Sequence, residues 1–186
     1  HIVVFTTRIM NKELGIRENH TPWVGTFHSF GVYILRNSGR PLGLPKTFSI
    51  LDEEDSLSLI KETLLELELD PKKFEARKLR ALISRKKNEM EKEEVLGAEY
   101  FGKVLARVWE RYEEKKRKAQ ALDFDDLLLK TVELFSKYQE VLAFWQEHFR
   151  YLHVDEYQDT NLVQYHLVRL LAQKYRNLCV VGDIDQ

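Results

Sequence analysis

The sequence predicts an α/β fold in which a parallel sheet is interrupted by a long, mainly helical segment. Two short apolar runs, 149–154 and 178–181, are each followed by acidic residues. Strands of an open parallel sheet end in this way where a ligand binds. Between about 52 and 118 the leucines instead recur at helical spacing with charges between them. A chain of 186 residues with 44% hydrophobic content can bury one core and a small subdomain.

The individual elements follow from local signals. Asp70-Pro71 predicts a helix start, because Asp is a favoured cap and Pro suits the first helical position. Residues 38–45 contain two glycines and two prolines, which favours a loop. Strands are predicted at 2–6, 23–26, 149–154 and 178–181, and helices over 27–36, from 52, from 71, and over 99–117, 123–134, 138–147 and 162–175.

Composition excludes several classes of protein. The single cysteine, Cys179, lies in an apolar strand pattern and is expected to be buried, so there is no disulfide framework. No apolar run reaches the length of a membrane span and no signal peptide is recognisable, so a reducing, cytoplasmic setting is expected. Six scattered histidines lack metal-ligand spacing, and a net charge of −1 leaves DNA binding to local patches.

Adjacent carboxylates follow the strand at 149–154. Asp155 could hold a hydrated Mg²⁺, and Glu156 could orient or deprotonate an attacking water. The alternative is a solvated strand end without a ligand, and an Asp-Glu pair by itself does not decide between the two.

Five motifs resemble those of UvrD/Rep-type superfamily 1 DNA helicases. Val154–Asn161 (VDEYQDTN) resembles motif II, the Walker B element, and Val180–Gln186 (VVGDIDQ) resembles motif III. Gly25–Phe30 (GTFHSF) resembles motif Ib, and Val4–Thr7 (VFTT) resembles a degraded motif Ia. Leu122–Leu128 (LDFDDLL) matches a further family signature. The five occur in the family's order along the whole chain.

The resemblance implies a RecA-like domain of the P-loop NTPase class with an inserted helical subdomain. We expect residues 1–50 and 119–186 to form the ATP-binding part and residues 51–118 to form the insertion. The implied activity is ATP-dependent 3′-to-5′ movement on single-stranded DNA and unwinding of duplex DNA. A second RecA-like domain would supply arginine fingers.

The same resemblance implies roles at the nucleotide. Asp155 would hold Mg²⁺ through water, Glu156 would act as catalytic base, and Gln186 would sense the γ-phosphate of ATP. Gln158 and Asp183 complete the expected cofactor-binding set, with Gln158 bridging motif II to its neighbours.

The sequence departs from the family pattern in three places. No Gly-x-x-x-x-Gly-Lys-Ser/Thr loop occurs in it, and the resemblance places that loop before His1. Because this loop binds the β- and γ-phosphates, we expect the 186 residues alone to lack ATPase activity. Residues 8–22 do not follow the family's helix start, and Ile184 replaces the usual Asp or Pro in motif III.

Two regions are candidates for DNA contact. The resemblance implies that the strand ends of motifs Ia and Ib line the path of single-stranded DNA, whereas ordinary helix capping with a buried Phe27 is the alternative. The resemblance also implies that the inserted helical subdomain touches the duplex, so phosphate contact is expected of the basic run 72–87 and of the cluster 115–118, whereas a solvated helix face is the alternative for each. The candidates are Phe5, Thr6, Thr26, Phe27, His28, Lys72, Lys73, Arg85, Lys86 and Lys87.

The acidic group Asp123, Asp125 and Asp126 is interpreted as a helix cap rather than a metal site. Two other functions remain open on the sequence alone. One is a helicase–nuclease subunit of the same superfamily, and the other is a non-catalytic DNA-binding or interaction module of helicase ancestry.

Overall fold

The computed structural model describes the backbone of residues 3–6 and all atoms of residues 22–90 and 100–183. Within these ranges the fold is α/β and rich in helix. The strands are β1 (Val3–Thr6), β2 (Trp23–Gly25), β3 (Ser49–Leu51), β4 (Ala121–Asp123), β5 (Tyr151–Val154) and β6 (Leu178–Val180). The helices are α1 (Phe27–Ser38), α2 (Glu53–Glu66), α3 (Ala76–Asn88), α4 (Tyr100–Lys118), α5 (Phe124–Lys137), α6 (Gln139–His148) and α7 (Leu162–Ala172).

The larger sheet has the order β2-β1-β5-β6 and is mixed. β5 and β6 are parallel, whereas β1 is antiparallel to both β2 and β5. The prediction of a parallel sheet is therefore right for β2, β5 and β6, which run in one direction, and wrong for β1. An apolar alternation is the same in either strand direction, so the sequence pattern in β1 did not distinguish parallel from antiparallel pairing. A second, two-stranded parallel sheet joins β3 to β4.

Buried apolar side chains form two separate clusters. The first lies among α1, α5, α6, α7 and β5, and its members come from residues 27–48 and 122–171. The second lies among α2, α3 and α4, with members from residues 60–112. β3 and β4 pair where the chain passes between the two clusters. These separate cores support the division at 50/51 and 118/119, which stays a prediction.

Four helices begin with a reciprocal cap, in which the side chains of the cap residue and the third helical residue each accept a backbone N–H. The capping role predicted for Asp123 is confirmed, with Asp126 as its reciprocal partner. The four cap residues are Thr26, Asp52, Asp123 and Asn161.

The helix predicted to start at Pro71 is not formed. Asp70 accepts the backbone N–H of Lys72 at 2.9 Å, but the chain makes a single turn there. Phe74 is buried in the second cluster, and Glu75 is extended (ψ 120°) before α3 begins at Ala76. The turn capped by Asp70 is therefore separated from α3 by the buried Phe74 and the extended Glu75.

Cys179 is exposed, so the prediction that it is buried is wrong. It lies in β6, the last strand in the sheet order, which pairs with β5 and whose three residues are all exposed. No helix within the described ranges has the length and apolar character needed to cross a membrane.

Candidate functional site

Three strands of the sheet end at one edge. β2, β5 and β6 run in the same direction, and the register places both Gly25 and Val154 opposite Val3. The segments that follow these strands therefore lie at the same edge of the sheet, with β1 between the first strand and the other two. They are the start of α1 at Thr26, the Asp155–Glu156 pair, and Gly182–Asp183.

The Asp155–Glu156 pair forms a tight turn at this edge. Asp155 is exposed, and one of its carboxylate oxygens accepts the backbone N–H of Glu156 at 3.0 Å. Glu156 has φ 54° and ψ 44°, the left-handed conformation that non-glycine residues seldom adopt. The other non-glycine residues with positive φ in the described chain follow a helix, where this conformation ends the helix. Glu156 follows a strand instead, so the strain is local to the carboxylate pair.

Gln158 joins motif II to motif III. Its amide donates to Glu156 Oε2 at 2.5 Å, and its Oε1 accepts the backbone N–H of Asp183 at 3.2 Å. A Cβ atom added at Gly182 would lie 2.7 Å from that Oε1, so a side chain there would displace Gln158. The backbone N–H of Tyr157 also donates to the carbonyl of Val181 at 2.9 Å. The bridge expected of Gln158 is thus present in the hydrogen bonds. Gln186 and Ile184 lie outside the described residues.

This arrangement suits chemistry on a phosphate. The carboxylate of Asp155 is open to solvent, as a ligand to hydrated Mg²⁺ must be. The carboxylate of Glu156 is half-buried and oriented by the Gln158 amide, as a base acting on one water must be.

In motif Ib the two hydroxyls serve as a helix cap. Thr26 Oγ1 accepts the backbone N–H of Ser29 at 3.2 Å, and Ser29 Oγ accepts that of Thr26 at 2.8 Å. Thr26 remains exposed at the edge. Phe27 is only 1% exposed within the first cluster, so its prediction as a DNA contact is corrected in favour of a core role.

His28 and Phe124 form an aromatic pair beside this cap. Their rings meet edge to face with centroids 5.7 Å apart. Burial lowers the pKa of His28, with the nearby Asp125 carboxylate opposing it, so the ring is neutral near pH 7. Phe124 is 47% exposed. Phe124 was not among the residues predicted for DNA contact, although its place in the LDFDDLL signature, away from the apolar helix positions, indicated an exposed ring.

The motif Ia strand runs away from this edge. Phe5 is opposite Leu152 and Thr6 is opposite Tyr151, so the strand ends at the far side of the sheet from Asp155. The strand ends of motifs Ia and Ib, both predicted to line the DNA path, therefore lie at opposite edges of the sheet, and a DNA contact by Phe5 or Thr6 stays a prediction. The cause is the antiparallel direction of β1.

The basic run splits into exposed and buried parts. Lys72 and Lys73 are exposed, and Arg85 and Lys86 lie 3.7 and 3.6 Å from the Glu89 carboxylate. Lys87 is 3% exposed, so its prediction as a DNA contact is wrong. Its position was foreseeable, because Leu79, Ile83 and Lys87 are spaced by four residues and share one helix face.

Lys87 belongs to a buried charge cluster formed by two lysines and three carboxylates. Its amine lies 2.6 Å from Glu113, 2.8 Å from Asp123 and 2.8 Å from Asp126. Lys116 contacts the same three carboxylates and is 1% exposed. These three carboxyl groups are close enough together to bind a metal ion, but each of them already pairs with both ammonium groups.

The pKa shifts in this buried charge cluster favour the ionised forms of Lys87, Glu113 and Asp123, whereas burial raises the pKa of Asp126. Burial alone would lower the pKa of Lys87, but Asp126, Asp123 and Glu113 raise it well above its ordinary value. Burial would likewise raise the pKa of Asp123, but Lys87 and Lys116 hold it well below its ordinary value. The two ammonium groups therefore stabilise the charges of Glu113 and Asp123 in the interior, and Asp126 is the carboxyl whose ionisation is disfavoured.

Comparison with known proteins agrees with the motifs. The family model described as the UvrD/REP helicase N-terminal domain matches residues 5–186. The chain is 50% identical over 168 residues to the ATP-dependent DNA helicase PcrA of Bacillus subtilis, covering 88% of this chain and 23% of that protein. It is 45% identical over 170 residues to PcrA of Staphylococcus aureus strain Mu50, with the same coverage of 88% and 23%. With PcrA of Staphylococcus epidermidis the identity is 41% over 194 residues, covering 99% and 26%. The chain thus spans about a quarter of the length of these relatives.

Proposed function

This chain belongs to the UvrD/Rep helicase family as an N-terminal domain, and we propose that it is part of an ATP-dependent 3′-to-5′ DNA helicase. The observation that supports this most strongly is the shared sheet edge. Asp155 and Glu156, joined through Gln158 to Asp183, lie at the same sheet edge as the exposed cap Thr26, with β1 between them. A nucleotide site and a DNA site would then share one rigid support, which is what coupling hydrolysis to movement requires.

At the nucleotide, we assign separate roles to the two carboxylates. Mg²⁺ would neutralise the phosphate charge, with Asp155 holding its water shell. Glu156 would accept the proton of the attacking water, and the Gln158 amide would keep its carboxylate aimed. Gln186 would complete the site from motif III. The phosphate loop and the second RecA-like domain are required as well, so the 186 residues alone would not hydrolyse ATP.

At the DNA, the proposed contacts are of two kinds. Thr26, His28 and the exposed ring of Phe124 would meet single-stranded DNA, with stacking on the aromatic pair. Lys72, Lys73, Arg85 and Lys86 would meet phosphates of the duplex from the helical insertion. Phe27 and Lys87 have no part in this, because both are buried.

Two alternative functions can be distinguished from this one by experiment. A helicase–nuclease subunit would contain a nuclease domain elsewhere in the protein. A non-catalytic DNA-binding module would bind DNA without hydrolysing ATP. The relatives compared above are described as ATP-dependent DNA helicases, which favours the helicase.

The deciding experiment is Glu156→Gln in the longer protein that contains this chain. We expect DNA-stimulated ATP hydrolysis to fall by about 10²-fold or more, the scale of losing a general base, with Mg²⁺–ATP binding retained. Glu68→Gln is the matched control, because Glu68 is an exposed glutamate with nearly the same left-handed backbone (φ 53°) outside the site. Full turnover by Glu156→Gln would exclude Glu156 as the base.

A further inference from the structure

The last turn of α3 is one of the places where the helical insertion contacts the rest of the molecule. Lys87 joins α3 to α4 through Glu113 and to the start of α5 through Asp123 and Asp126, at distances of 2.6–2.8 Å. These buried ion pairs fix the turn more firmly than an exposed pair would. The residue that follows, Asn88, is therefore held in a defined position.

Asn88 forms hydrogen bonds to three different elements. Its amide donates to the carbonyl of Ser84 within α3 at 2.8 Å and to Asp125 of α5 at 2.9 Å. Its carbonyl oxygen accepts from the side-chain amide of Asn161 at 2.7 Å. Asn161 is the cap of α7, since its Oδ1 also accepts the backbone N–H of Gln164 at 2.9 Å.

Asn161 is the last residue of motif II. Hydrogen bonds between residues close in sequence hold together the turn that connects Asn161 to the carboxylate pair. The preceding Thr160 donates from its hydroxyl to the carbonyl of Tyr157 at 2.7 Å. The backbone N–H of Asp159 donates to the carbonyl of Glu156 at 3.1 Å. The turn from Glu156 to Asn161 is thus one compact unit, and Asn88 contacts its far end.

We propose that Asn88 is a positioning residue that links the helical insertion to the turn carrying Asp155 and Glu156. The basic face of α3 and the carboxylate pair then respond to one another through the Asn88–Asn161 hydrogen bond. This inference rests on the proposed function, because it assigns a role in DNA-stimulated hydrolysis. Lys87 affects the carboxylate turn only through Asn88, and it separately stabilises the fold within the buried charge cluster.

The test uses single and double variants of the longer protein. Asn88→Ala removes the hydrogen bonds to all three elements, whereas Asn161→Ser keeps an oxygen to cap α7 and removes only the donor to Asn88. Asn37→Ala is the matched control, because Asn37 makes the same bond to the carbonyl four residues earlier, Tyr33 at 2.7 Å, on an exposed helix face. Unfolding midpoints establish whether each variant is folded. If Asn88→Ala does not fold, Asn161→Ser alone tests the role of the Asn88–Asn161 hydrogen bond.

We expect Asn88→Ala and Asn161→Ser each to lower kcat in the presence of single-stranded DNA by about three- to tenfold, the range for one net hydrogen bond. The DNA-free rate and the KM for ATP should stay unchanged, since both carboxylates remain. The double variant should be no worse than Asn88→Ala alone, because Asn88→Ala has already removed the hydrogen bond that Asn161→Ser removes.

Three results would overturn this inference: a kcat equal to that of Asn37→Ala, an equal fall of the DNA-free and DNA-stimulated rates, or additive effects in the double variant. A wild-type protein without DNA-stimulated hydrolysis is a different result. It would refute the proposed function itself, and the role of Asn88 with it.

Discussion

The amine of Lys87 has three carboxylates within 2.8 Å and almost no contact with solvent. Lys87→Met would leave Glu113, Asp123 and Asp126 with one ammonium group between them. Removing one partner of a buried ion pair costs about 3–5 kcal/mol, because the remaining charge is uncompensated. We expect the free energy of unfolding, measured by urea denaturation, to fall by about that amount.

Lys78→Met is the matched control for this change. Lys78 lies on the same helix and pairs with Glu75 at 2.7 Å, but its side chain is 73% exposed. Exposed pairs contribute about 0–1 kcal/mol, so this variant should be close to wild type. A similar decrease in stability for both variants would contradict the role given to burial.

Substitutions of Glu156 test whether the left-handed backbone of the carboxylate turn is strained. A left-handed conformation costs a non-glycine residue about 1–2 kcal/mol, whereas glycine adopts it freely but loses about 0.5–1 kcal/mol more entropy on folding. Glu156→Gly and Glu156→Gln both lack the carboxylate, so neither should hydrolyse ATP efficiently. The Gly variant should nevertheless be more stable than the Gln variant by up to about 1 kcal/mol in denaturation. A less stable Gly variant would mean that the turn is not strained.

Single residues were predictable where one local rule acted and unpredictable where two competed. The cap role of Asp123 follows from its place before an apolar helix, and the structure confirms it. Lys87 has the charge of a DNA contact and the helix position of a core residue, and the position prevailed because carboxylates were available inside. The left-handed backbone of Glu156 has no sequence signal, since nothing in an Asp-Glu pair requires it.

At the scale of elements, α3 and the turn before it present the exposed basic face. Neutralising Lys72, Lys73 and Arg85 together should flatten the dependence of log Kd on log salt by roughly 0.7–0.9 unit for each phosphate that the protein no longer binds. The measurement is DNA affinity across a salt series. Lys118→Gln and Lys137→Gln, exposed lysines on α4 and α5, are the controls and should leave the slope unchanged. An unchanged slope in the triple variant would mean that this face is solvated and does not contact DNA phosphates.

Element types were largely predictable, whereas their pairing was not. Apolar spacing and cap residues correctly indicated α1, α2 and α4–α7, because these signals are local. The direction of β1 depends on which neighbour it pairs with, and no residue in Val3–Thr6 encodes that choice. The exposure of Cys179 likewise depends on the place of β6 in the sheet order rather than on its apolar sequence.

At the scale of the whole molecule, the buried charge cluster joins the two hydrophobic cores, and its stabilisation should depend on pH. The pKa of Asp123 is lowered in the folded state, so its contribution is present above the unfolded value of about 3.9 and is lost as the pH falls through the folded value. The pKa of Lys87 is raised, so its contribution is present below about 10.4 and is lost as the pH rises through the folded value.

The stability difference between wild type and Lys87→Met should therefore be largest near neutral pH and shrink as the pH falls towards about 2, since the carboxylates then become neutral. Because burial raises the pKa of Asp126, the contribution of this carboxylate is lost first. Denaturation across this pH range measures it. A difference that persists undiminished at about pH 2 would show that packing, and not charge, explains the destabilisation.

The central claim, that nucleotide and DNA meet at one sheet edge, is tested most directly by a structure of the longer protein with Mg²⁺, a non-hydrolysable ATP analogue and single-stranded DNA. We predict that the nucleotide's phosphates lie at the edge where β2, β5 and β6 end, with Mg²⁺ held near Asp155 through water. We also predict that the DNA passes over His28 and Phe124 next to the same edge. A nucleotide bound away from Asp155 and Glu156, or DNA that avoids His28 and Phe124, would contradict the claim.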